Sequence, residues 1–143
     1  MKKIILITFV LFISNSLKSQ TSTDEILNKF FVIYEASPFE AVDYVYSTNK
    51  WMERNIDGIE DVKNKMRTFL GLVGEYYGYE EIVQNSIGEK YKLVSYIVKY
   101  DRQPLRFTFI FYKPKDKWQV QNFRFDDNLS DELTELSKIN NQK

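Results

Sequence analysis

The chain contains no cysteine and no histidine, and only 3 prolines and 5 glycines among its 143 residues. Without cysteine there is no disulfide framework, no thiolate nucleophile and no acceptor for a lipid at the N-terminus, so the core alone must hold the fold. With histidine missing as well, Ser-His and Cys-His mechanisms are excluded, as are zinc sites of the usual His and Cys composition. No stretch carries a cofactor motif. Charge of either sign is not in excess: 20 basic and 20 acidic residues cancel.

Long hydrophobic runs are also scarce. The one that occurs is Ile4 to Ile13, preceded by Lys2 and Lys3 and followed by polar Ser14, Asn15 and Ser16. This is a signal-peptide layout, and the run is short of the ~20 residues a membrane-spanning helix needs. Cleavage is expected after Ser19, with Ser16 as the alternative. It leaves residues 20–143 as one exported domain, periplasmic or secreted, with no stable membrane anchor. Losing Lys2, Lys3 and Lys18 leaves 17 basic against 20 acidic residues, and a mildly acidic domain argues against nucleic acid as a partner.

What the sequence has in quantity is aromatic residues. Between Tyr100 and Asp126, two runs of alternating character joined by one turn hold eight of them. Upstream, Ser22 with Glu25, Ser37 with Glu40 and Asp57 with Glu60 each place a capping oxygen three residues before a glutamate, and Pro38 suits a first helical position. Three helices are therefore expected. Ile26, Leu27, Phe30, Phe31 and Tyr34 form the apolar stripe of the first, and Phe39, Val42, Val45 and Tyr46 that of the second. Ile59, Val62, Met66, Phe69, Leu70 and Val73 form that of the third, with Gly74 near its end. Trp51 and Met52, between the second and third, read as a short edge strand or a loop over the core mouth.

From Tyr77 onward the period becomes two. Strands are expected over 79–85, 90–100, 104–113 and 117–126, and their short connections make an antiparallel meander. Leu105, Phe107, Phe109 and Phe111 share one face of the third strand, but neither face is cleanly polar. A sheet apolar on both sides needs cover on both. Three main helices and a short C-terminal helix around Leu133 and Leu136 are available to pack on one side, and the other side is left for a second subunit.

This order of elements resembles the nuclear transport factor 2-like, or cystatin-like, α+β fold. More narrowly, VKYDRQPLRFTFIFYKPKDKWQVQNFRFDD is similar to the C-terminal half of small exported Bacteroidota proteins without an assigned activity. The resemblance implies a sheet curved around three helices into a cone. Phe30, Tyr34, Tyr46, Trp51, Phe69, Tyr96, Phe107, Phe109 and Trp118 are then the residues that line its cavity, or simply fill it as core. The superfamily holds ketosteroid isomerases, dehydratases and polyketide cyclases beside noncatalytic binding modules, so membership fixes no activity.

An isomerase-like reading needs a carboxylate base and an oxyanion donor inside an apolar cavity, and Asp43 beside Tyr44 and Tyr46 is the nearest approximation. The plainer reading of Asp43 is an exposed helix residue. Arg102 and Arg106 are candidate rim donors for a carboxylate, although Arg102 also reads as turn chemistry. Asp126, Asp127 and Asp131 lack the alternating oxygens and glycine of a calcium loop and suit a helix start, so no metal is expected. The leading expectation is a noncatalytic exported module that takes a small apolar molecule into its cone or self-associates through its sheet. The alternatives are an isomerase or cyclase, and an envelope interaction protein using Tyr76, Tyr77 and Tyr79.

Overall fold

The computed structural model describes residues 21–140, so the leader expected over 1–19 lies outside the described residues. Among the described residues no helix is long and apolar enough to cross a membrane. The elements run α1 (Thr23–Ala36), α2 (Pro38–Ser47), α3 (Ile56–Val73), β1 (Tyr76–Ile87), β2 (Tyr91–Tyr100), β3 (Leu105–Tyr112), β4 (Gln119–Asp126) and α4 (Leu129–Asn140). The strands form one antiparallel sheet in the order β1-β2-β3-β4. This is an α+β architecture.

Local chemistry starts each helix, though not always as the sequence suggests. At α1 the Ser22–Glu25 box is complete: Glu25 N–H donates to Ser22 Oγ and Ser22 N–H to the Glu25 carboxylate. At α2 the Ser37 side chain makes no capping bond, and Pro38 in the first turn is what marks the start. At α3 the cap is Asn55 rather than Asp57. Its Oδ1 accepts Gly58 N–H at 3.2 Å, and Asp57 falls inside the first turn, where the helix dipole favours an acid. Gly74 ends α3 at φ 88°, a left-handed value that suits glycine, and Asp101 Cβ stands only 3.0 Å from where a side chain would begin.

The alternation in the strands decides the packing. Leu105, Phe107, Phe109 and Phe111 of β3, Val94, Tyr96, Val98 and Tyr100 of β2, and Val120, Phe123 and Phe125 of β4 all turn inward and are buried. Helix α1 lies on this face, with the Phe30 ring 5.0 Å from Phe109 and 5.4 Å from Phe123, edge-on in each case. Phe31 stacks flat on Tyr79 at 3.6 Å. Helices α2 and α3 complete the core with Ala41, Val42, Val45, Met66 and Val73.

The outer face carries Leu93, Ser95 and Ile97 of β2 against Ile110, Thr108 and Arg106 of β3. Part of it is covered by the chain itself. Arg106 donates to Glu132 of α4 at 2.7 Å and to Asp126 at 3.0 Å, and Leu129, Glu132 and Leu136 form the half-buried side of α4. Ser95 and Thr108, which a bare sheet would expose, are buried in the middle of this face. Helix α4 thus returns over the Arg106 end of the sheet. The opposite end stays open, with Ile87, Tyr91 and Tyr112 exposed and Leu93 and Ile110 only half-buried.

Candidate functional site

The residues expected to line a cavity separate into two groups. Phe30, Tyr34, Tyr46, Tyr96, Phe107 and Phe109 come together on the inner face of the sheet, where all are buried. Their rings pack on one another: Tyr34 on Phe107 at 5.3 Å, Phe30 on Tyr34 at 5.6 Å, and Tyr96 on Phe109 at 6.2 Å. Phe69 is half-buried against Phe125 at 5.7 Å. Trp51 and Trp118 are not part of this cluster. Trp51 is 64% exposed, and Trp118 is half-buried beneath the ammonium groups of Lys92 and Lys113.

The polar tips of Tyr34, Tyr100 and Tyr46 are satisfied internally. The hydroxyls of Tyr34 and Tyr100 bond to each other, and Tyr46 donates to the Phe123 carbonyl at 3.5 Å. Burial raises Tyr34 far above the ordinary value of 10.0, reinforced by neighbouring Tyr100. Burial also pushes Tyr100 up to about 12, partly offset by the bond from Tyr34, and raises Tyr96. These are neutral phenols at any physiological pH.

An isomerase mechanism requires a carboxylate, yet among the described residues none is buried with these phenols, although Glu81 and Asp24 stand near enough to help raise Tyr96. Among the described residues the buried polar side chains are those of Thr23, Asn49, Ser95 and Thr108, and none is an acid. Asp43 faces a surface cleft between α2 and α3 and is held by Lys63 at 2.6 Å, with Glu60 on the same lysine at 3.1 Å. The two candidate rim arginines also have internal partners. Arg106 binds Asp126 and Glu132, and Arg102 donates to the Leu72 carbonyl at the C-terminal end of α3, where a cation complements the helix dipole. Of the tyrosine patch, Tyr77 and Tyr79 are exposed, while Tyr76 is half-buried beside Tyr34 and Tyr100.

The sequence reading passes over a cleft of about 750 Å³ at the open end of the sheet. It lies between the α2–α3 turn, which brings Lys50, Trp51 and Met52, and the β3–β4 hairpin, which brings Tyr112, Lys115, Lys117, Gln119 and Gln121. Two struts, one buried and one half-buried, fix these walls to each other. Asn49 Nδ2 donates to the Val120 carbonyl at 2.9 Å while its Oδ1 accepts Trp51 N–H at 3.1 Å, and Val120 N–H donates to Thr48 Oγ1 at 2.9 Å. The basic-aromatic spacing of Lys50-Trp51 and of KPKDKW is the signal that points here. Asn49→Ala leaves the Val120 carbonyl and Trp51 N–H without partners in a water-poor position. It is expected to lower the unfolding free energy by about 1–3 kcal/mol in urea denaturation.

Comparison of the chain with protein-family models, curated proteins and solved structures returns no significant match.

Proposed function

We propose that the chain is a noncatalytic exported module that works by association, two copies pairing across the side of the sheet that carries α4. The carrying observation is the open apolar end of the outer face. Strand register sets Ile87 opposite Tyr91, Tyr91 opposite Tyr112, and Leu93 opposite Ile110, so one patch runs over three strands. Asn85 and Asn122 flank it with polar groups, which is the anatomy of an apolar interface centre with a polar rim.

A second copy fits this patch because the same side of the molecule also supplies its complement. Leu133 and Ile139 of α4 are exposed, at 67% and 58%, one on each flank of the half-buried Leu129–Leu136 side, so they border the sheet face that α4 crosses. Under a two-fold axis, α4 of each copy lies on the open strip of the other, and both unpaired surfaces are covered at once.

The fold-level part of the reading rests on the order of elements, which resembles the nuclear transport factor 2-like fold with the sheet curved into a cone. The inner face of the sheet is filled by buried Phe30, Tyr34, Phe107 and Phe109, and this favours association over an internal ligand. Export rests on the leader-like residues 1–19.

Sedimentation equilibrium tests the pairing. The chain lacking its leader is expected to be a dimer at micromolar concentration. Leu133→Asp with Ile139→Asp, and separately Tyr91→Asp, are expected to give monomers with an unchanged far-UV spectrum, since all three side chains are exposed. A wild-type monomer throughout that range overturns the proposal.

A further inference from the structure

We infer that the cleft between the α2–α3 turn and the β3–β4 hairpin binds an anionic oligosaccharide. Three features of the cleft carry this. The first is an indole presented to solvent on a rigid support. Trp51 is the kind of residue a core ordinarily takes, yet it stands outside, and its backbone is pinned by buried Asn49. A flat apolar ring in that setting suits the C–H face of a sugar ring.

The second is charge. Lys50, Lys115 and Lys117 line the cleft against a single acid, Asp116, in a chain whose total charge is zero. Lys50 also sits 4.9 Å from the Trp51 ring, and Arg54 5.1 Å from it on the opposite flank of the turn sequence. The cations are thus gathered around the aromatic platform, where an anion borne on a stacked ring would meet them. Lys113, the next basic residue of the hairpin, lies over the Trp118 ring instead of at the cleft.

The third is the supply of neutral hydrogen-bonding groups. Gln119 and Gln121 face the cleft from either side of Val120, the residue that Asn49 and Thr48 hold. The same strut therefore sets the spacing between the indole and the two amides. Amides that both donate and accept are suited to sugar hydroxyls, whereas a simple phosphate site has no use for them. A membrane surface is the rival occupant, because exposed tryptophan and lysine also suit anionic headgroups. It is disfavoured by shape: the aromatic and the cations border a concavity of about 750 Å³ rather than a protruding tip.

Isothermal titration calorimetry with an oligogalacturonate and with a sulfated dextran oligomer tests the assignment. Saturable binding to at least one of them is expected, weakening as salt is raised and absent for a neutral malto-oligosaccharide of equal length. Trp51→Ala and the pair Lys115→Ala with Lys117→Ala are each expected to weaken it by about tenfold or more. Lys138→Ala, on exposed α4, should leave it unchanged. Trp51 and both lysines are surface residues, so the variants can be checked for an unaltered melting temperature. Three results overturn the inference: no binding to either anionic saccharide, equal binding of polyphosphate that Trp51→Ala does not touch, or binding confined to anionic lipid vesicles.

Discussion

Phe109→Ala is expected to lower the unfolding free energy by about 3–5 kcal/mol, a large part of the ~5–15 kcal/mol that typically holds a domain together. Phe109 is fully buried at the centre of the inner face, with Phe123 stacked at 4.8 Å and Phe30 edge-on at 5.0 Å. Truncation removes the burial of a whole ring and both aromatic contacts, and it leaves a space between helix and sheet that neither can close without moving. Phe109→Leu retains much of the volume and should cost clearly less. Urea denaturation supplies both values. Benzene adds a second arm, because an apolar cavity of this origin stays dry and accepts it. Benzene should raise the melting temperature of Phe109→Ala and leave the wild type unaffected. Stabilisation of the wild type would mean that its interior already holds a ligand-sized space.

Alkaline pH is expected to unfold the protein steeply, with the loss beginning near pH 10. Tyr34, Tyr96 and Tyr100 are all raised above 10.0 by burial, Tyr100 to about 12. Below pH 10 each phenol is protonated in both the folded and the unfolded chain, so its contribution is fully present there. Above pH 10 the unfolded chain releases protons that the folded chain retains, and stability falls as pH rises. It continues to fall until the folded-state value is passed, near pH 12 for Tyr100. Each such tyrosine contributes a slope of at most about 1.4 kcal/mol per pH unit once the unfolded chain is deprotonated, and solvent screening makes the contribution of Tyr96 smaller. Chemical denaturation from about pH 8 to about pH 11 reads this slope directly. Tyr100→Phe should make it shallower while lowering neutral-pH stability, since the buried Tyr34 hydroxyl loses its partner.

Most of the fold is legible in the sequence because period-two alternation and capping chemistry are local. The strands expected over 79–85, 90–100, 104–113 and 117–126 are found at 76–87, 91–100, 105–112 and 119–126. The α3 start is ambiguous in sequence because Asn55–Gly58 and Asp57–Glu60 have equal spacing, and only the backbone decides which oxygen meets which amide.

The surface is less legible, for reasons of distance along the chain. Trp51 reads as core by its hydrophobicity. What sets its loop on the surface is the bond from Asn49 to Val120, 71 residues away, which no local pattern reveals. Arg106 reads as a free donor until β3–β4 register places Asp126 opposite it. That register is obscured by the irregularity between Ile110 and Phe111, which shifts the pairing by one residue. Tyr96, Phe107 and Phe109 share the buried inner side of the sheet with Phe30, Tyr34 and Tyr46 of the helices, but alternation gives a side chain's direction and not whether space remains around it.

The pairing of two copies is tested most directly by isotope-filtered nuclear Overhauser spectroscopy on a one-to-one mixture of carbon-13-labelled and unlabelled chain. Association through α4 predicts intermolecular cross-peaks from the methyl groups of Leu133 and Ile139 to Ile87, Tyr91 and Tyr112. The absence of intermolecular cross-peaks at concentrations where the dimer should form, or their appearance only at other surfaces, would contradict it.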